Sequence, residues 1–234
     1  MSHLHLIAFD ADDTLWHNER LYLTAQNRFK TLLARYHSSE WIAERLDQTE
    51  MRNLPHFGYG IKSFALSMIE TAVELTEGRI TGQEIQILID AAKEMLTAEV
   101  QLVERVPETL ARLAEKYALM VITKGDLRDQ ELKIERSGLA QFFSHVEIVS
   151  DKKRANYSRV LQQHNLAPEH FAMVGNSLRS DILPVLELGA TAIYIPHELT
   201  WAHEHADAPT AAPNFYEVAK FDDLPVLFAQ LEQK

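Results

Sequence analysis

The stretch Leu6-Ile7-Ala8-Phe9-Asp10-Ala11-Asp12-Asp13-Thr14-Leu15-Trp16 runs from four apolar residues straight into carboxylates. A short, continuously apolar run suits a strand buried on both faces of a parallel sheet. The first acids after it then fall at the strand's carboxyl end, where open α/β sheets bind their ligands. Asp10 and Asp12, at i and i+2 on a chain leaving a strand, can face one pocket. One can then bind metal and attack while the other works as acid and base. Taken alone, the same residues also suit a solvated acidic turn.

Further apolar runs at residues 118–122, 146–149, 171–174 and 190–195 read as strands of the same sheet, each bounded by polar or glycine signals. Helical patterns lie between them. Tyr157, Val160, Leu161 and His164 follow the i, i+3, i+4, i+7 spacing, and residues 181–189 form another helix, with Gly189 as a C-cap and Pro184 in its first turn. Asp126 stands where an N-cap belongs.

Residues 18–99 differ, showing helices and no strand of sheet length. Thr81 and Glu84 make a capping-box pattern ahead of the stripe Ile85, Leu88, Ile89, Ala92, Leu96. Residues 53–60, punctuated by Pro55, Gly58 and Gly60, read as a loop. The fold expected is therefore α/β, a Rossmann-like doubly wound parallel sheet with an inserted all-α helical domain. Residues 1–17 and 100–234 would form the core and residues 18–99 the insert.

Three more strand ends carry chemistry. Thr123 puts a hydroxyl at the second, and Gly125 with the following helix N-terminus offers backbone N–H groups to an anion. Lys152, after the third strand, can neutralise a carboxylate and a phosphoryl oxygen. After the fourth, Gly175, Asn176 and Asp181 supply a turn and oxygen ligands of the kind a hard cation prefers.

In order and spacing these four segments resemble the haloacid dehalogenase superfamily. Asp10-Ala11-Asp12-Asp13-Thr14 resembles its first motif, DxDxT; Thr123 its second; Lys152 its third; Gly175-Asn176 through Asp181 its fourth, usually written GDxxxxD. The helical insert resembles a C1-type cap. The resemblance implies a Mg²⁺-dependent phosphohydrolase acting on a small-molecule phosphate ester. Asp10 would be the nucleophile, Asp12 the acid and base, and Thr123, Lys124, Gly125 and Lys152 the phosphate-binding set. Asp10, Asp12 through its carbonyl, Asn176 and Asp181 would serve the metal. Asn176 departs from the family's usual aspartate and removes one negative charge, which predicts weaker Mg²⁺ binding. Halide-displacing relatives resemble DxYGT and need no metal; Asp12, the acid an alkoxide leaving group needs, favours the phosphatase branch. A phosphotransferase or mutase, a metal-independent 2-haloacid dehalogenase and a non-catalytic binding module are the alternatives.

Composition agrees. The formal charge of −11 gives no basic surface for nucleic acid or an anionic membrane. With no cysteine, thiolate nucleophiles and disulfides are excluded. No apolar run approaches the length of a membrane span, and a cytoplasmic location is the expectation. Nothing in the sequence sets an oligomeric state.

Weaker signals remain. Tyr59 and Lys62 sit where an insert would contact the substrate's organic part. Trp16, His17 and Asn18 occupy the position of a mobile flap, with Trp16 packed under the insert as the alternative. His203 and His205, with Glu198, could bind a transition metal, against the simpler reading of an exposed loop. His3 and His5 alternate on the first strand as structural residues.

Overall fold

The computed structural model describes residues 4–209 and 212–233. His3 lies outside them; His5 stacks its ring on His170, with centroids 4.2 Å apart. Two compact units are distinguished. One comprises Met1–Glu19, Val100–Lys124 and Gln130–Lys234, and the other Arg20–Glu99 and Gly125–Asp129.

The first unit holds strands β1 Leu6–Phe9, β2 Ala118–Lys124, β3 His145–Val149, β4 Phe171–Gly175, β5 Thr191–Tyr194 and β6 Phe215–Glu217. All pair in parallel, in the order β3-β2-β1-β4-β5-β6. β1 is central, so its four residues are buried on both faces. Side chains alternate across the sheet. Ile7, Phe9, Leu119, Val121 and Val174 enter one core, while Leu6, Ala8, Met120, Ile122 and Met173 enter the other. That two-sided burial is why these strands read as unbroken apolar runs. β6 carries no such run; three residues are too few for periodicity to register, and only its pairing with β5 defines it.

The second unit contains α1 Glu19–Leu33 (whose first residue belongs to the other unit), α2 Ser39–Phe57, α3 Ile61–Leu75 and α4 Gly82–Thr97. Phe29, Ile42, Phe64, Met68 and Leu88 form its own core. The Thr81–Glu84 capping box opens α4 with both reciprocal hydrogen bonds. Residues 53–60 correct the sequence reading, because α2 runs through Pro55 to Phe57. Pro55 has no N–H for the Met51 carbonyl and its ring crowds that carbonyl, but only two residues of the helix follow it. Buried Asn53 ties this last stretch of α2 to α3, donating to Ser67 at 3.1 Å and Glu70 at 2.7 Å. The turn comes at Gly58, with φ 70°.

The chain continues through α5 Val106–Ala114, α6 Leu127–Arg136, α7 Arg154–Gln163, α8 Leu183–Leu186 and α9 Leu224–Leu231. α5 and α9 cover one sheet face, α7 and α8 the other. The helix expected over residues 181–189 begins earlier, as a widened π-type turn over Leu178–Ile182 leading into α8. Pro184 has no N–H to give the Ser180 carbonyl, and the Tyr157 hydroxyl bonds that carbonyl instead, at 3.0 Å. Gly189 closes the segment with φ 81°.

Candidate active site

β1 ends where its neighbours β2 and β4 leave on opposite sides, the reversal point at which doubly wound sheets open a crevice. The Asp10 N–H continues the ladder, donating to the Val174 carbonyl at 2.9 Å, which places its buried carboxylate at the sheet's carboxyl edge. Lys152, from the segment after β3, is 2% exposed and reaches between two carboxylates. Its ammonium bonds Asp10 and, at 2.8 Å, Asp181. Asp181 also accepts the Ser177 N–H at 3.0 Å, so both its oxygens are engaged.

The Thr14 hydroxyl stands between Asp10 Oδ2, at 3.0 Å, and Asn176 Oδ1, at 3.2 Å. A hydroxyl has one proton, so it serves only one of these two oxygens at a time. A pair of converging oxygens short of donors is a set that a hard cation fits. Asp10 and Asn176 are thus suited to hold Mg²⁺, with the Asp12 carbonyl beside them in the chain.

Electrostatics follow from burial. Desolvation, reinforced by Asp181 and Asp12, pushes the Asp10 carboxyl up to about 7 although Lys152 opposes it. Burial would lower the Lys152 ammonium, but Asp10 and Asp181 together raise it. Lys152 therefore stays charged.

Asp12 has different partners. Its carboxylate accepts Trp16 Nε1 at 2.7 Å, Gln130 Nε2 at 2.8 Å and Lys133 Nζ at 3.0 and 3.2 Å. Lys133 also bonds Asn18 Oδ1 at 3.0 Å. Thr123 joins through Gln130 Oε1 at 3.3 Å. Trp16 is 1% exposed and packs in the sheet core. Sequence reasoning quoted Thr14 in the first motif without giving it a role, and missed Gln130 and Lys133. The one available signal was the i, i+3 spacing of the last two on the helix after Thr123.

Lys124 is engaged by Glu204 and, at 2.9 Å, by Ser180. Burial raises the Glu204 carboxyl, yet Lys124 and the Ser177 and Ser180 hydroxyls hold it below the usual range. The segment read as an exposed loop therefore contributes a half-buried acid. Gly125, φ 146°, turns the chain from β2 toward α6. Tyr59 and Lys62 belong to the second unit, where Lys62 bonds Asp126 at 3.0 and 3.1 Å.

A buried carboxylate at the tip of the central strand, paired with a buried lysine, is the centre of the candidate site of this α/β protein. The family model described as haloacid dehalogenase-like hydrolase matches residues 4–189, and the chain belongs to that family. It is an enzyme, and its curated relatives are phosphatases. It is similar to glyceraldehyde 3-phosphate phosphatase of Methanothermobacter thermautotrophicus, 32% identical over 51% of this chain and 54% of that one, so the match spans about half of that relative's length. It is 24% identical to N-acylneuraminate-9-phosphatase of Rattus norvegicus across 100% of this chain and 97% of the other. Among solved structures, a haloacid dehalogenase-like family hydrolase from Xanthomonas campestris matches with TM-score 0.88 and 42% identity, over 99% of this chain and 93% of that one.

Proposed function

We propose that the protein is a Mg²⁺-dependent phosphohydrolase that cleaves a small phosphorylated metabolite through an aspartyl-phosphate on Asp10. The observation that carries this reading is the Asp10 carboxylate, buried at the end of β1 between the Lys152 ammonium and the Thr14–Asn176 pair. An Asp10 oxygen attacks phosphorus as the ester oxygen leaves with a proton from Asp12. Asp12 then takes a proton from water, which attacks phosphorus, releases phosphate and frees Asp10. Lys152 offsets negative charge beside the nucleophile, and Asp181 orients Lys152 from behind. When bound by Asp10, Asn176 and the Asp12 carbonyl, Mg²⁺ supplies the positive charge that lets a carboxylate approach a phosphate. The described residues contain no helix long and apolar enough to cross a membrane. A cytoplasmic location belongs to the same proposal.

A Mg²⁺-supplemented phosphate-release screen over phosphorylated metabolites tests it, with Asp10→Asn as the blank. Loss of the nucleophile should remove at least ~10³-fold of kcat, and chelator should abolish turnover. Full activity in Asp10→Asn ends the proposal, while halide release from a 2-haloacid untouched by chelator would replace it with the dehalogenase reading.

A further inference from the structure

Apart from the Asp10 cluster, one set of metal-ligand types converges among the described residues: Asp13, His17 and His197, whose ligand atoms all lie within 4.8 Å of one another. The turn leaving β1 brings the first two together, with the Asp13 N–H donating to the Trp16 carbonyl at 2.7 Å. His197 arrives from the segment after β5. Its Nε2 lies 3.4 Å from His17 Nδ1 and 3.7 Å from Asp13 Oδ1. Ligand atoms at the corners of a tetrahedron with Zn–N and Zn–O bonds of ~2.0–2.1 Å are about 3.4 Å apart, so these spacings already approach that geometry.

The surrounding hydrogen bonds agree. His197 Nδ1 sits 2.6 Å from the Leu199 carbonyl, a contact that only an N–H can make favourably. Its 3.2 Å contact with the Leu199 N–H is the longer of the two. With Nδ1 held by that carbonyl, Nε2 is the nitrogen that faces His17 and Asp13 and is placed to ligate. A backbone carbonyl on the far nitrogen is also how metal-bound imidazoles are held. Asp13 is fixed in turn, accepting the Asn18 N–H at 2.8 Å and the Glu19 N–H at 3.1 Å. The Asp13 and His197 side chains are 8% and 15% exposed, so the cluster is shielded but reachable. His203 and His205 take no part: His203 packs on Trp201, with ring centroids 4.8 Å apart, and His205 contacts the Thr200 carbonyl at 3.3 Å.

We propose that Asp13, His17 and His197 form a second divalent-cation site, selective for a borderline ion of the Zn²⁺ class and completed by water. Its two imidazoles distinguish it from the all-oxygen set at Asp10, which suits Mg²⁺. A bound ion would tie the turn after β1 to the segment after β5.

Co²⁺ is the probe, because its visible absorption reports tetrahedral nitrogen and oxygen ligands whether or not the enzyme turns over. The full chain, freed of metal and supplied with excess Mg²⁺, is titrated with Co²⁺. One equivalent should bind with a tetrahedral spectrum and be displaced by Zn²⁺. His17→Gln and His197→Gln should each weaken binding by more than the ~10-fold that disturbing a ligand's hydrogen-bond partner costs. Asp10→Asn and His203→Gln should bind as the parent does, and circular dichroism of each metal-free variant checks its fold. Absence of Co²⁺ binding in folded parent protein, binding unchanged in both histidine variants, or binding lost in Asp10→Asn but kept in His17→Gln overturns the proposal.

Discussion

The Asp181 carboxylate folds back over Gly175 so closely that a Cβ on Gly175 would lie 2.3 Å from Asp181 Oδ2. The glycine is required by space here and not by backbone angle. Asp181 in turn holds Lys152 against Asp10, so a methyl group at residue 175 is transmitted to the nucleophile. Gly175→Ala should lower kcat by at least ~10-fold, since displacements of about 1 Å at a site cost up to ~10²-fold. Gly189→Ala is the contrast. Its φ of 81° strains any side chain, but a Cβ there meets nothing within 4 Å. It should lose ~1 kcal/mol of stability, visible as a Tm lower by about 2–4 °C, with kcat unchanged.

Asp10, with its carboxyl raised to about 7, should make metal binding release protons. The protonated form neither attacks nor ligates. Activity at limiting Mg²⁺ should therefore fall as pH drops below neutrality, and added Mg²⁺ should move that limb to lower pH. Calorimetric titration of Mg²⁺ in buffers of different ionisation enthalpy should find close to one proton released per ion near pH 6 and few near pH 8. A release that does not change with pH would contradict the raised value.

Glu19 supplies a stability test. Burial first, then Asp13, Asp12 and Glu204, push its carboxyl up to about 7 from an ordinary 4.5. Between those values the folded chain holds a proton that the unfolded chain has lost. The associated stability is full below pH 4.5 and disappears as pH rises through 7. Glu19→Gln keeps the hydrogen-bonding shape without the charge. It should match the parent near pH 4.5 and exceed it near pH 8 by the order of 2 kcal/mol, read from urea unfolding at both values.

Gln130 and Lys133 should act on Asp12 and not on the nucleophile. Lys133→Met with Gln130→Leu leaves the Trp16 indole as the remaining one of the three donors described above. Acid–base catalysis is worth ~10²–10⁴-fold, and misplacing the acid should forfeit much of it for an alkyl phosphate. A p-nitrophenyl ester, whose leaving group needs no proton, should lose far less in its first step. Equal losses for both esters would assign the pair a structural role.

Much of the architecture was legible before any coordinates. A central parallel strand must be apolar on both faces, so residues 6–9, 118–122 and 171–174 announced themselves, and the first polar residue after each had to lie at the sheet's carboxyl edge. Asp10, Thr123 and Asn176 were found on that ground, and Lys152 by its place after the third strand. The Thr81–Glu84 cap was legible because both partners lie within one turn. Pro55 misled because a proline's effect depends on how many turns follow it and on what Asn53 bonds.

Periodicity along the chain is enough to mark the set of strands, the edge where chemistry collects and the acids that stand there. Tertiary structure alone decided who holds those acids. Gln130 meets Asp12 across 118 positions, Lys133 across 121, Lys124 meets Glu204 across 80, and His197 meets His17 across 180. A buried polar group must find a partner wherever folding brings one, and no local pattern records which residue that will be.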